Sequence, residues 1–101
     1  MQNLKRAGSL NNFRIFETDE FISKLEKISM RDRIFIKQKL AAHVYPQLKD
    51  EPYFGKNIRK LVDYKPETWR YRIGKYRLFY MIDSEKKIVF LLSIDIRKEA
   101  Y

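Results

Sequence analysis

The chain has 101 residues, with 22 Lys or Arg against 13 Asp or Glu, a formal net charge of +9; this length fits one domain, 1–101, with a single modest core. Hydrophobic residues at 45% and aromatics at 15% exclude disorder for most of the chain, and no apolar run approaches the roughly 20 residues of a membrane span. The absence of Cys and the single His exclude disulfides, a thiolate zinc site, a thiol nucleophile and a paired-histidine acid–base site, and MQNLKRAGSL lacks the apolar stretch of a signal peptide, so the expectation is a cytoplasmic protein with a polyanionic partner, no membrane association, no metal and no cofactor.

Residues 1–11 show no clear period and read as an N-terminal arm. Phe13–Glu17 is short, apolar and β-rich, and predicts the first strand. Thr18 and Asp19 are helix N-cap candidates, followed by Phe21, Ile22, Leu25 and Ile28 at helical spacing. Ser29 caps a second, longer helix, with Asp32 three residues on and Ile36, Leu40 and Val44 at intervals of four. Pro46 is expected to end that helix or to lie just beyond it. Residues 49–57, punctuated by Pro52 and Gly55, read as loop, and 58–64 as a short extended piece before Pro66. Thr68–Ile73 alternates, Gly74-Lys75 suits a two-residue type II′ turn, and Tyr76–Ile82 resumes the alternation. A second turn at 83–86 leads into Ile88–Ile94, apolar on both faces and therefore central. The whole predicts an α+β, two-layer domain: an N-terminal strand and a helical hairpin packed on a mainly antiparallel β-meander sheet.

The positive charge is concentrated. Residues 56–77 hold 8 basic and 2 acidic side chains, a net +6, whereas 1–55 contribute +3 and 78–101 contribute none. Arg59, Lys60, Arg70, Arg72, Lys75 and Arg77 lie in this block, interleaved with Tyr64, Trp69, Tyr71 and Tyr76. Cations beside aromatics can hold phosphates and stack on unpaired bases. Strand parity puts Arg70 and Arg72 on the face opposite Trp69, Tyr71 and Ile73. Pairing across Gly74-Lys75 sets Arg72 opposite Arg77, which calls for an anion, a carboxylate or open solvent between them.

The stretch Trp69-Arg-Tyr-Arg-Ile-Gly-Lys-Tyr-Arg-Leu-Phe-Tyr80, the run Ile88–Ile94, and Arg97 followed four residues later by Tyr101 resemble the RelE/ParE toxin superfamily over about residues 12–101. The resemblance implies a RelE-like fold and the toxin role of a type II toxin–antitoxin system, held by a cognate antitoxin protein. RelE-like members cleave mRNA on the ribosome without a metal; ParE-like members instead inhibit DNA gyrase. Matching residue by residue, Arg70 and Arg72 fall where RelE-like enzymes carry paired basic residues, lysines more typically. Arg77 matches the residue that contacts the scissile phosphate, Arg97 the later catalytic arginine, and Tyr101 the tyrosine near the end of the catalytic tail. Arg59, Lys60, Arg70 and Lys75 are the expected RNA-binding residues, and Arg72, Arg77, Arg97 and Tyr101 the expected catalytic set. Three readings stand: a ribosome-dependent mRNA endoribonuclease, which this cluster favours, a gyrase inhibitor, and a non-toxic RNA-binding relative.

Metal-free cleavage of RNA requires a base for the 2′-OH, stabilisation of the phosphorane and a proton for the 5′-oxygen. Arginines hold phosphate bidentately and offset its charge without titrating. Tyr101 is the candidate base, its phenol acidified by neighbouring cations. His43, alone in the second helix, reads as structural or surface, remote from the basic strands. Trp69 reads as core. Tyr53 and Phe54 fit either a lid or partner contact, or a staple for their loop.

Overall fold

The computed structural model describes residues 12–96. Five strands form one sheet in the order β1-β5-β4-β3-β2, with β1 at Arg14–Glu17, β2 at Ile58–Lys60, β3 at Trp69–Ile73, β4 at Tyr76–Asp83 and β5 at Ile88–Ile96. β1 pairs parallel to β5, and every other pair is antiparallel. The α+β arrangement of a helical hairpin on a mainly antiparallel sheet is as the sequence implies. β5, apolar on both faces, is an interior strand flanked by β1 and β4, and the middle of the sheet is β4.

Helix α1, Asp19–Glu26, begins where Thr18 leaves β1. The Thr18 hydroxyl accepts a bond from the Phe21 amide and donates one of 2.7 Å to the Leu91 carbonyl, so a single side chain caps the helix and ties it to β5. Helix α2, Met30–Lys39, is capped by Ser29, whose hydroxyl accepts from the Asp32 amide. Phe21 and Leu25 from α1 and Ile36 from α2 are buried against the alternate residues Tyr71, Ile73, Leu78 and Tyr80 of β3 and β4.

Pro46 does not end the second helix. The chain continues from α2 through a π-helical turn, Leu40–Val44, into α3, Tyr45–Asp50. The Tyr45 amide bonds to the Leu40 carbonyl, five residues back, and Pro46 occupies the first turn of α3. Proline is destructive inside a helix because it lacks an N–H and its ring meets the carbonyl four residues back. A widened turn immediately before it changes the bonding register, so the helix survives and Leu48 reaches the core.

The loop after α3 is stapled rather than free. Tyr53 packs edge-on against Phe13 and Trp69, with centroids 6.1 and 5.5 Å apart, and the buried Tyr80 hydroxyl donates to the Pro52 carbonyl at 2.7 Å. Phe54 alone of this pair stays outside, 75% exposed. β2 is shorter than the extended piece expected over 58–64, ending at Lys60 with one further bond from the Leu61 amide to the Thr68 carbonyl. The cap makes a sharp test. Thr18→Ala is expected to lower unfolding free energy by about 1–2 kcal/mol in urea denaturation, and Thr18→Ser to retain most of the wild-type stability.

Candidate nucleic-acid interface

The β3–β4 hairpin sets the geometry. Ile73 pairs with Tyr76 across Gly74-Lys75, and Gly74 has φ of 59°, the left-handed region that the first central position of a type II′ turn demands. From that register Arg72 faces Arg77, Arg70 faces Phe79 and, one strand further, Arg59 faces Arg70. These four arginines share the sheet face turned away from the buried Trp69, Tyr71, Ile73, Tyr76 and Leu78. Arg72 is exposed, while Arg70 and Arg77 are half-buried with their Nε atoms out of water. The Arg77 guanidinium carbon lies 5.5 Å from the Phe79 ring centroid, so the ring supports the cation from below.

Acid is scarce on this face. Asp95 sits opposite Arg77, and its carboxylate is also 3.0 Å from Lys24 Nζ of α1. Two arginine pairs therefore stand directly across from one another, and among the described residues Asp95 is the carboxylate that the strand pairing sets opposite Arg77.

The other expected basic residues are distributed differently. Lys60 pairs with Trp69 and so belongs to the opposite side; its ammonium is 2.7 Å from Glu67 and 5.9 Å from the Trp69 ring. Lys75, in the hairpin turn, is 3.6 Å from Asp32. The same Asp32 carboxylate accepts a 2.6 Å bond from the Tyr76 hydroxyl, which pins the hairpin tip to α2. This bond holds the Asp32 carboxyl below its usual range, with Lys75 assisting, and pushes the Tyr76 phenol up to about 12. Arg97 and Tyr101 lie outside the described residues. Of the four aromatics in the basic block, Trp69, Tyr71 and Tyr76 are buried, leaving Tyr64, 56% exposed, as the one available for stacking.

His43 is exposed, but it is not remote from the basic strands. It lies in the π-helical turn and lines a cavity of about 200 Å³ together with Lys39, Asn57, Tyr71 and Arg72. Lys39 precedes His43 by four residues, so a shared helix face was readable in the sequence. Their approach to Arg72 across the two layers was not. Among the described residues no group of three or more His, Asp or Glu side chains is placed to hold a metal ion, and no helix is long and apolar enough to cross a membrane.

The family described as ParE toxin of type II toxin-antitoxin system, parDE, matches residues 15–101. The fold is shared with a chain of the RelBE2 toxin–antitoxin complex from Mycobacterium tuberculosis, at 26% identity and a TM-score of 0.66, covering 85% of this chain and 99% of that one. A chain of the archaeal RelE–RelB complex from Pyrococcus horikoshii has a TM-score of 0.66 at 18% identity, covering 87% and 98%. The isolated RelE toxin of E. coli has a TM-score of 0.62 at 21% identity, covering 86% of each chain. A comparison with curated proteins finds no match. The chain belongs to the ParE toxin family, and with it to the RelE/ParE superfamily of type II toxin–antitoxin toxins.

Two measurements check this geometry. Arg59→Thr removes one member of a like-charged pair on an edge strand. It is expected to raise stability by up to ~1 kcal/mol while weakening retention on a polyanion such as heparin. Asp32 contributes stability that is complete above its unfolded-state value, near pH 4, and is lost as pH falls through its lower folded-state value. The stability difference between wild type and Asp32→Asn, followed by urea unfolding from pH 7 to pH 2, is expected to shrink only below about pH 4.

Proposed function

We propose that the protein is a RelE-like toxin that cleaves mRNA on the ribosome in the cytoplasm and is silenced by a cognate antitoxin. The observation that carries this reading is the row of Arg59, Arg70, Arg72 and Arg77 across three strands of one sheet face. Each guanidinium offers a planar fork that matches phosphate, and none has to titrate to act. The antitoxin partner is supported by two of the neighbours of known structure, which are toxin–antitoxin complexes.

In this reading Arg72 and Arg77 flank the scissile phosphate from adjacent strands and offset the charge that builds on the phosphorane. Arg97 adds a third cation. Arg59 and Arg70 guide the flanking RNA along the row, with Lys75 at the hairpin tip. Tyr101 removes the 2′-OH proton, its phenol acidified by the arginines around it. The 5′-oxygen leaves with a proton from the solvent or from the phenol regenerated in that step. No step calls on a metal or a cofactor.

A second reading, inhibition of DNA gyrase without chemistry of its own, is favoured by the family match itself, whose description is ParE toxin. The two readings separate in cells. Inducing the protein and mapping mRNA 5′ ends is expected to show new ends in phase with codons on translated messages. Tyr101→Phe is expected to lose these cuts by at least about a hundredfold, the scale of a lost general base, while ribosome association persists. Growth arrest with intact messages and DNA damage would establish the gyrase reading instead.

A further inference from the structure

The cavity between the helical layer and the end of β3 has no part in the cleavage chemistry described above. It lies where the start of β2 meets the end of β3, beneath a helical element that departs from regular form. On the sheet side, the residue before β2 extends the ladder by one rung, the Arg72 amide bonding to the Asn57 carbonyl at 2.9 Å. On the helical side the π turn interrupts the α-helix at Leu40–Val44 and carries His43 to the rim. Such turns commonly mark functional positions.

Its chemistry is one-sided. Lys39, His43 and Arg72 line it, with Asn57 and Tyr71, and no carboxylate does. None of these three basic side chains is ion-paired among the described residues, whereas Lys24, Lys60 and Lys75 each have a carboxylate within 4 Å. Lys39 rests its ammonium 5.7 Å from the Phe35 ring. The polar floor is already satisfied, because the Tyr71 hydroxyl donates to Gln47 Oε1 at 3.0 Å. What remains unmet is positive charge. A space of about 200 Å³ is several times the ~30 Å³ share of one water, enough for a phosphate with part of its sugar.

We propose that this cavity is a second anion site, which takes a backbone phosphate of the single-stranded RNA held by the arginine row. The proposal rests on the RNA-binding reading above. Arg72 joins the two places: its side chain faces Arg77 in the row, and the residue borders the cavity at the end of β3. A strand crossing the hairpin at Arg77 and Arg72 would thus deliver a neighbouring phosphate to Lys39 and His43. The site fixes the direction in which the RNA leaves the arginine row, over the end of β3 toward the helices.

The test uses the toxin chain alone, without antitoxin, so that no acidic protein competes. Binding of a fluorescent hexauridylate is followed by anisotropy from 50 to 300 mM KCl for the wild type, the double variant Lys39→Gln/His43→Gln, and Arg70→Gln. Glutamine keeps the helix, and circular dichroism checks that each variant is folded. The double variant is expected to bind roughly three- to tenfold more weakly at 100 mM salt. Its slope of log K against log salt is expected to drop by about 0.7, the value of one phosphate contact on a single strand. In the wild type, inorganic phosphate is expected to shift the His43 imidazole NMR signals. Unchanged affinity and slope in the double variant, with binding weakened by Arg70→Gln, would overturn the cavity site and leave the arginine row standing. If neither variant weakens binding, the RNA reading falls and the cavity site with it. Phosphate that leaves the His43 signals unmoved would also overturn the site.

Discussion

The register of the β3–β4 hairpin is the constraint on which both the core and the basic face depend. A two-residue turn permitted by the left-handed backbone of Gly74 fixes Ile73 opposite Tyr76. Because side chains alternate strictly along a strand, that one pairing sends Tyr71, Ile73, Tyr76, Leu78 and Tyr80 into the interior and Arg70, Arg72 and Arg77 out of it. A slip of one residue would exchange the two sets and bury guanidinium groups against Phe21 and Ile36, at a cost of several kcal/mol per uncompensated charge. The apolar residues thus enforce the position of the arginines. No separate device is needed to aim them.

The same register obliges the protein to hold like charges together. Arg72 against Arg77 and Arg59 against Arg70 are geometric consequences of the pairing, and Asp95 is the acid that the pairing sets beside them. The isolated domain therefore gathers like charges on one face, which a polyanion would favour on the proposed reading. This is a form of preorganisation, since the cations are gathered before any ligand arrives and the folding of the core has already met the cost. On the proposed reading, RNA and an acidic antitoxin compete for one surface, and the same gathered charge attracts each of them.

Much of this was legible in the sequence wherever the signal was local. Thr18 and Ser29 announce their helices because capping needs only a hydroxyl and the next turn of backbone. The arginine face follows from alternation plus a two-residue turn. The features that escaped depend on contacts between distant segments. Lys60 looks equivalent to Arg59 in a list of basic residues, yet the pairing of β2 with β3, set by the loop between them, turns it toward Trp69 and Glu67. His43 and Arg72 are far apart in the chain and meet only because the two layers pack as they do. The aromatics of the basic block were ambiguous between stacking and strand building, and burial decides for the core in all but Tyr64. Arg97 and Tyr101 were carried by resemblance alone and lie beyond the described residues.

The π turn has a further consequence for how the helical layer meets the sheet. Ile36, Leu40, Val44 and Leu48 recur at intervals of four and are all buried. On an α-helix of 3.6 residues per turn, each such step overshoots by about 40°, so three steps accumulate about 120°. Leu48 would then point along the flank of the helix, away from the sheet. One residue added within the π turn is worth about 100°, which winds the stripe back nearly into line. An unbroken spacing of four, held for longer than an α-helix can tolerate, is itself the written sign of a wide turn.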